Sequence, residues 1–166
     1  QNGYIDYGFL GAAAIDAYGN INTTVIGDWE RPTVRLPGSG GANDIGSLCW
    51  RTILVMRQDK RRFVNELPFL TTPGYLTGPG AREAAGLPEG SGPYRVITQL
   101  GIYGFDETTR RIALISRHPG VTLEEIQANS EFEIIIPGEI AESVPPTPEE
   151  QRILREIDPV GMVIGK

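Results

Sequence analysis

Apolar positions along this chain occur in short runs whose lengths and spacing are typical of buried β-strands. Residues 7–15 are almost continuously apolar and rich in small side chains, which predicts a buried strand packed closely by a neighbour. Residues 21–26 alternate and are β-branched, which predicts a second strand that pairs with the first as a hairpin. Residues 51–56 predict a third, buried strand.

The pattern continues with extended segments in the second half of the chain. Residues 63–70 are predicted to be extended, and Pro68 limits how far a strand can run there. Residues 94–105 predict a strand, residues 111–116 return as its hairpin partner, and residues 131–136 predict one more strand.

Three short helices are predicted between and after these strands. One covers residues 42–48. The others cover residues 122–129 and 147–157, where Thr122 and Thr147 each precede a glutamate by three residues in a capping box. Buried strands interleaved with short helices indicate an α/β layer fold.

Residues 71–93 differ in composition from the rest of the chain. This stretch holds six glycines and four prolines and has neither helical nor strand periodicity. Long connections of this kind inside compact domains are often lids or partner contacts. We therefore predict an irregular segment here.

Composition narrows the class of protein. The 166 residues are 40% apolar and 22% charged, as in a globular protein, and we expect residues 1–166 to form a single domain. The net charge of −6 argues against nucleic acid or an anionic membrane as the main partner. One cysteine, Cys49, leaves no internal disulfide and favours a cytoplasmic setting. Because core-like sequence begins close to Gln1, we also expect residues upstream of it.

The glycine-rich loop at residues 36–44 is the segment most suggestive of chemistry. Gly38, Gly40 and Gly41 fall within four residues, between a strand-like run and a predicted helix. Glycine backbone reaches φ > 0 and exposes its N–H groups, so such a loop can hold an anion or a developing oxyanion. The alternative is an ordinary glycine-rich turn.

Other candidate chemistry is sparse. One histidine and one cysteine do not make a metal site, and we predict no metal. His118 precedes Pro-Gly and is expected to be part of a turn rather than of a catalytic triad. A run of basic side chains suggests either a phosphate grip or a solvated face: Arg57, Lys60, Arg61 and Arg62. The residues by themselves supply no nucleophile.

Six short motifs follow one another in a fixed order: Gly-Phe-Leu-Gly-Ala at 8–12, Asp16 with Gly-Asn-Ile-Asn at 19–22, Leu-Pro-Gly-Ser-Gly-Gly-Ala at 36–42, the basic run at 60–64, His-Pro-Gly-Val-Thr-Leu-Glu-Glu at 118–125 and the closing Pro-rich helix. This ordered set resembles the β subunit of family I CoA-transferases, and the glutaconate CoA-transferase branch in particular. Each motif is weak alone, but the ordered set is specific and covers nearly the whole chain.

This resemblance implies a three-layer α/β fold with a mainly parallel sheet, the CoA-transferase (NagB/RpiA-like) fold, in a heteromer with an α subunit. It implies that CoA moves between an acyl-CoA and a carboxylic acid through a glutamyl-CoA thioester, with CoA thioester as substrate and no bound cofactor. The glycine loop would supply an oxyanion hole from Gly38, Gly40 and Gly41, and Asn20 and Asn22 would lie near the substrate.

One expected feature of the family is missing. The catalytic glutamate stands in a Glu-Ser-Gly or Glu-Asn-Gly motif, and neither tripeptide occurs here. We therefore expect no catalytic residue in this chain, a nucleophilic glutamate upstream of it, and no activity from the chain alone. Two alternatives remain open: an acyl-CoA hydrolase or ring-opening subunit of the same fold, and a non-catalytic interaction subunit.

Overall fold

A computed structural model describes residues 4–162 of the chain. Within this range the strands are β1 (Tyr7–Leu10), β2 (Ala14–Ile15), β3 (Ile21–Asn22), β4 (Val25–Gly27), β5 (Pro32–Arg35), β6 (Arg51–Val55), β7 (Gly92–Ile97), β8 (Gly101–Phe105), β9 (Ile112–Arg117) and β10 (Ala141–Glu142). The helices are α1 (Ala42–Leu48), α2 (Ala81–Ala84), α3 (Leu123–Ala128) and α4 (Pro148–Ile157).

A mixed sheet in the order β1-β6-β7-β8-β9-β10 forms the centre of the described chain. The pairs β1–β6, β6–β7 and β9–β10 are parallel, and β7–β8 and β8–β9 are antiparallel hairpins. Two small antiparallel ribbons, β2–β3 and β4–β5, lie outside this sheet. The arrangement confirms the α/β class and shows that the parallel strands β1, β6 and β7 are continued on one side by the antiparallel strands β8 and β9.

One face of the sheet carries the core. Leu54, Val96, Tyr103 and Leu114 are buried from successive strands of this sheet. Their cluster is completed by side chains from outside the sheet, among them Ile15, Ile21, Phe63, Ile126 and Phe132. Helix α1 packs so tightly on β1 that a Cβ at Gly8 would overlap with Ile45. Small residues in the first strand therefore let this helix approach the sheet.

The opposite face of the sheet is uncovered within residues 4–162. Tyr7 and Phe9 on β1 are 53% and 66% exposed, and Val55 on β6 is 52% exposed. On the same face, the side chains of Arg95 and Ile115 lie over Gly104 of β8. Parallel strands are normally buried on both faces, so this apolar surface is of the kind that another layer covers.

Several predicted elements are confirmed. Helix α1 covers residues 42–48 as predicted. The Thr147 hydroxyl accepts from the Glu150 N–H and the Glu150 carboxylate accepts from the Thr147 N–H, which completes the predicted capping box of α4. Thr122 likewise accepts a bond from the N–H of Glu125 at the start of α3.

Four strand predictions need correction. The run 21–26 is broken at residues 23 and 24, because β3 pairs with β2 whereas β4 pairs with β5. The run 7–15 is broken at residues 11–13, because β1 pairs with β6 whereas β2 turns away to pair with β3. The run 94–105 is a hairpin of β7 and β8, whose turn is held by the Thr98 hydroxyl, which accepts from the N–H groups of Leu100 and Gly101. Residues 131–136 make only an isolated bridge between Ile135 and Ala113.

The long connection at residues 71–93 is irregular as predicted, apart from the single turn of α2 and the start of β7. No helix in the described range 4–162 is long and apolar enough to cross a bilayer.

Candidate functional site

The glycine-rich loop lies at the carboxyl edge of the parallel strands. It connects β5 to α1, and Gly41 is the residue that precedes the first turn of that helix. Only Cys49 and Trp50 separate the end of α1 from β6, so the helix folds back across the sheet and its first turn faces the end where β1 and β6 finish. Ligands of open α/β sheets bind at this edge.

Two residues after β3 hold the loop in place. The N–H of Gly38 donates to the carbonyl of Thr23 at 3.0 Å, and the Thr23 hydroxyl donates to the carbonyl of Gly38 at 2.9 Å. The N–H of Leu36 donates to the carbonyl of Thr24 at 3.0 Å. Thr23 is itself anchored, since its N–H donates to the Thr71 hydroxyl at 2.9 Å. The loop therefore has a fixed conformation rather than a free one.

The three glycines differ in what their N–H groups can do. The N–H of Gly38 is occupied by Thr23, whereas those of Gly40 and Gly41 donate to no group among residues 4–162. Gly38 and Gly40 have φ of +86° and +48°, a region that favours glycine. A Cβ at any of the three would meet no atom within 4 Å, so the loop faces open space. Two adjacent donors are thus available to an anion.

Ser39 satisfies the neighbouring amides. Its carbonyl accepts from the N–H of Ala42 at 2.7 Å, and its hydroxyl accepts from the N–H of Asn43 at 3.2 Å. These bonds satisfy the start of α1 without using the N–H groups of Gly40 and Gly41. Asp44 lies in the first turn of the helix, which has no side-chain cap.

An apolar cleft of about 500 Å³ lies next to the turn that anchors this loop, and no residue of the loop itself lines it. Its lining includes Asn22 and Val25, which flank the two threonines that anchor the loop. The remaining lining residues are Ala13, Ala14, Ile26, Gly27, Asp59, Arg61, Arg62, Val64 and Pro68. Volumes of about 300–1,000 Å³ are usual for small-molecule sites.

Asn20, which the sequence suggested as a substrate contact, is 3% exposed, and both polar atoms of its side chain form hydrogen bonds within the chain. Its amide oxygen accepts from the N–H groups of Gly74 and Leu76 at 2.7 and 3.0 Å. Its amide nitrogen donates to the carbonyl of Leu76 and to the Asp16 carboxylate at 2.8 and 2.7 Å. Burial raises the pKa of Asp16, although its hydrogen bonds act in the opposite direction. Asn20 thus ties the turn after β2 to the long connection.

Asn22, the second suggested substrate contact, is 1% exposed and lies in the wall of the cleft. Its amide nitrogen donates to the carbonyl of Val25 at 2.6 Å, and its oxygen accepts from the N–H groups of Thr24 and Val25. These bonds fix the turn that presents Thr23 to the glycine loop. The structure thus connects Asn22 to the loop through its neighbour Thr23, whereas the Asn20 side chain bonds to Asp16, Gly74 and Leu76.

Arg82 is a buried residue that sequence reasoning missed. Its side chain is 1% exposed and donates to the carbonyls of Pro73, Gly74 and Gly46 and to the Ser91 hydroxyl at 2.8–3.1 Å. Burial lowers its pKa. Because Gly46 belongs to α1, this one guanidinium joins the helix after the glycine loop to the long connection. The only indication in the sequence was that Arg82 lies in a segment rich in glycine and proline.

His118 has the structural role that its sequence context suggested. One ring nitrogen lies 3.0 Å from the carbonyl of Thr98, and the other lies 3.2 Å from the hydroxyl of Ser143. These contacts fasten the segment after β10 to the central sheet. Across the range 4–162, no three His, Cys, Asp or Glu side chains are grouped as metal ligands.

The chain belongs to the coenzyme A transferase family, whose model matches residues 1–129. It is 43% identical over 152 residues to the B subunit of glutaconate CoA-transferase from Acidaminococcus fermentans, covering 91% of this chain and 56% of that protein. It is 42% identical over 158 residues to the B subunit of 3-oxoadipate CoA-transferase from Pseudomonas knackmussii, covering 95% and 60%.

The fold agrees with this assignment. The crystal structure of glutaconate coenzyme A-transferase from A. fermentans superposes with a TM-score of 0.89 at 42% identity, covering 95% of this chain and 60% of that one. A cholesterol ring-cleaving hydrolase subunit, IpdB of Rhodococcus jostii, is 28% identical over 148 residues, covering 89% and 57%. The chain thus spans about 60% of the length of these relatives.

Proposed function

We propose that this chain is part of the B subunit of a CoA-transferase, which moves CoA between an acyl-CoA and a carboxylic acid. The observation that carries the proposal is the pair of N–H groups at Gly40 and Gly41, which donate to no group among residues 4–162 and belong to a loop with open space around its glycines. They are placed to donate to a thioester oxygen as negative charge develops on it. CoA thioester is then a substrate rather than a resident cofactor.

The reaction needs a nucleophile that these 166 residues do not supply. In the proposed sequence a glutamate carboxylate from outside this chain attacks the thioester carbonyl, the C–S bond breaks, and CoA leaves as a thiolate. The thiolate then attacks the glutamyl carbonyl of the resulting anhydride, which releases the acid and leaves glutamyl-CoA. The acceptor carboxylate reverses these steps and takes the CoA.

Each addition in this sequence places negative charge on a carbonyl oxygen. Two main-chain donors held rigidly near that oxygen stabilise it without having to reorganise. We assign this role to Gly40 and Gly41. Gly38 shapes the loop through its bonds to Thr23, and its own N–H is not free to donate. Asn22 contributes the wall of the adjoining cleft.

We further propose that the chain works in a cytoplasmic heteromer with an α subunit. Two observations support a partner: both similar transferases are named as B subunits, and one apolar face of the central sheet is uncovered within the described residues. A hydrolase is the weaker candidate, because the IpdB relative is 28% identical where the transferases are 42–43% identical.

Borohydride trapping of the assembled enzyme tests the proposal. Incubation with acyl-CoA but no acceptor acid is expected to load a glutamate as its CoA thioester, which borohydride reduces, so that transfer activity is lost. Enzyme treated with borohydride in the absence of acyl-CoA serves as the control and should keep its activity. Release of free CoA at the catalytic rate, with no trapped species, would contradict the transferase and favour the hydrolase.

A further inference from the structure

The start of the long connection contacts the supports on both sides of the glycine loop, and the chemistry described above gives it no role. Thr71 lies against the turn after β3, which holds Leu36 and Gly38 at the front of the loop. Thr72 lies against α1, the helix that follows the loop. The loop that carries the free donors is therefore supported at both ends by two adjacent residues of one segment.

The Thr71 hydroxyl is the buried acceptor for this turn. It accepts from the N–H of Thr23 at 2.9 Å and shares a hydrogen bond with the Thr24 hydroxyl at 2.7 Å, and Thr71 is 4% exposed. The two threonines of the turn hold the loop in their own turn, because their carbonyls accept from the N–H groups of Gly38 and Leu36 at 3.0 Å. A chain of hydrogen bonds thus runs from one buried side chain to the first residues of the loop.

The main chain at Thr71 is firmly attached to the core. The N–H groups of Thr71 and Thr72 both donate to the carbonyl of Ile21, at 3.0 and 3.1 Å. The N–H of Ile21 donates back to the carbonyl of Thr72 at 3.1 Å. Ile21 belongs to β3 and is 1% exposed. The Thr71 hydroxyl therefore extends from a backbone that is bonded to a core strand in both directions.

The other end of the loop is held by packing against α1. Gly46 of this helix lies so close to Thr72 that a Cβ on the glycine would be 2.2 Å from the Thr72 methyl carbon. Arg82, further along the same segment, donates to the carbonyl of Gly46 at 3.1 Å. Gly41 precedes the first turn of α1 and moves only if the helix does. With α1 fixed in this way, the direction of the free donors depends on the turn that Thr71 holds at the front of the loop.

We propose that Thr71 is a positioning residue for CoA transfer. Through the turn at residues 23–24 it keeps the N–H groups of Gly40 and Gly41 in a fixed direction for the reacting thioester oxygen. This inference rests on the proposed function, since it assumes that those donors stabilise the oxyanion. Such donors are effective because they need not reorganise as charge develops, and a displacement of about 1 Å can cost about 100-fold in rate. Without the Thr71 hydroxyl the N–H of Thr23 has no acceptor, so the turn and the loop shift together.

Two replacements of Thr71 in the assembled enzyme test the proposal. Thr71→Val keeps the shape of the side chain and removes the hydroxyl, and it is expected to lower kcat at least about tenfold while KM for acyl-CoA stays within about twofold. A loss of this kind identifies an interaction that matters in the transition state rather than in substrate binding. Thr71→Ser keeps the hydroxyl and is expected to keep kcat close to that of the wild type. An unchanged kcat in Thr71→Val, or an equal loss in Thr71→Ser, would overturn the proposal.

The chain provides a matched control in Ser130→Ala, which also removes a buried hydroxyl. Ser130 is 5% exposed and donates to the carbonyl of Phe132 at 2.7 Å, and within residues 4–162 no hydrogen bond joins it to the glycine loop or to the turn at 23–24. This variant is expected to lose stability and to keep the wild-type kcat. A comparable loss of kcat in Ser130→Ala would mean that reduced stability alone slows the enzyme and would overturn the assignment to Thr71.

A second variant keeps the test decisive if Thr71→Val does not assemble. Thr24→Val removes the partner in the 2.7 Å hydrogen bond and leaves the Thr71 hydroxyl to accept from the N–H of Thr23. We expect a smaller fall in kcat, again without a change in KM, because one of the two bonds to Thr71 remains. An unchanged kcat in Thr24→Val would overturn the proposal.

Hydrogen exchange separates this inference from the proposed function. If the assembled wild-type enzyme transfers no CoA, the proposed function fails, and Thr71 is then judged by the exchange of the Leu36 and Gly38 N–H groups, which the turn holds. Mass spectrometry of peptides that cover these residues is expected to show exchange at least about tenfold faster in Thr71→Val and unchanged in Ser130→Ala. Equal exchange in the wild type and Thr71→Val would overturn the inference whether or not the enzyme is active.

Discussion

Thr23 and Gly38 are joined by a reciprocal pair of hydrogen bonds, in which each residue donates to the carbonyl oxygen of the other at 2.9–3.0 Å. The bond from Gly38 uses its main-chain N–H, and the bond from Thr23 uses its hydroxyl. The pair fixes the start of the glycine loop and removes one of its three candidate donors. What remains for an anion is the adjacent pair Gly40 and Gly41.

Thr23→Val keeps the shape of the side chain and removes the hydroxyl that holds Gly38. We expect the free energy of unfolding to fall by about 1 kcal/mol, the usual contribution of one hydrogen bond. We also expect kcat to fall, because the loop that carries the donors loosens. This fall should be larger than the small change in the folded fraction of the enzyme can explain. Urea denaturation and steady-state kinetics check the two effects. Thr108→Val, at an exposed turn, should change neither quantity.

Gly41→Pro removes one of the two free donors. The φ of −85° at Gly41 lies near the value of about −65° that proline requires, but proline also restricts the preceding Gly40, whose φ is +48°. We expect kcat to fall about 100-fold, as when an oxyanion donor is lost elsewhere, and thermal unfolding is measured alongside to separate this loss from a change in stability. Gly41→Ala keeps the N–H and is the control. If Gly41→Pro transfers CoA as fast as Gly41→Ala, the donor has no role in catalysis.

Arg82→Met leaves the carbonyls of Pro73, Gly74 and Gly46 without a donor. The Ser91 hydroxyl loses one bond and keeps its bond to the Pro88 carbonyl. We expect the free energy of unfolding to fall by at least about 3 kcal/mol, because each unsatisfied buried group carries its own desolvation cost. Denaturation in urea measures this. Arg31→Met, which removes an exposed arginine, should lie within about 0.5 kcal/mol of the wild type. Equal stability of the two variants would disprove the bracing role.

Tyr103 is expected to lower the stability of the folded protein at alkaline pH. Its hydroxyl is buried and donates to Oε1 of Gln58 at 2.5 Å, and burial raises its pKa to about 12 from 10.0. The unfolded chain ionises this group near pH 10 while the folded chain keeps it neutral. The contribution of Tyr103 to stability is therefore complete below pH 10 and is lost as the pH rises from 10 to 12.

The size of this loss is about 3 kcal/mol for a shift of two pKa units. It is measured as the difference between the free energies of unfolding of the wild type and Tyr103→Phe across this pH range. That difference should shrink as the pH rises, since phenylalanine does not titrate. The corresponding difference for the exposed Tyr4→Phe should stay constant. A constant difference for Tyr103→Phe would contradict the prediction.

The elements that were predicted correctly are those determined by residues close together in the sequence. Helix α4 begins at Thr147 because the cap, the proline at the first helical position and Glu150 all act within four residues. Helix α1 follows a glycine loop and was predicted at its observed bounds. The motifs that resemble CoA-transferases are likewise short segments, and the comparisons confirm the family that they suggested.

Features that depend on distant partners could not be predicted in the same way. The apolar run 7–15 has no local break, yet β1 ends at Leu10 because its partner is β6, more than forty residues away. The hairpin of β7 and β8 looked like one strand, since its turn is made by Thr98 rather than by glycine and proline. Arg82 gave no sign that it would be buried.

The candidate site was likewise predicted only in part. The sequence identified the glycine loop from its composition, but it ranked three donors together. Which of them is free depends on Thr23, fifteen residues earlier, and that pairing exists only in the folded chain. The lining of the cleft comes from four separate stretches of sequence, so its apolar character could not be recognised beforehand.

Because one face of the central sheet is uncovered, substitutions on its two faces are expected to affect different properties of the protein. Phe9 and Val55 make few contacts within it, so replacing them with polar residues of similar size costs little when the 166 residues fold by themselves. The same replacements would be costly wherever another polypeptide lies against that face. Mutational tolerance there reports on assembly, whereas tolerance at Leu54 and Tyr103, on the other face of the same sheet, reports on folding.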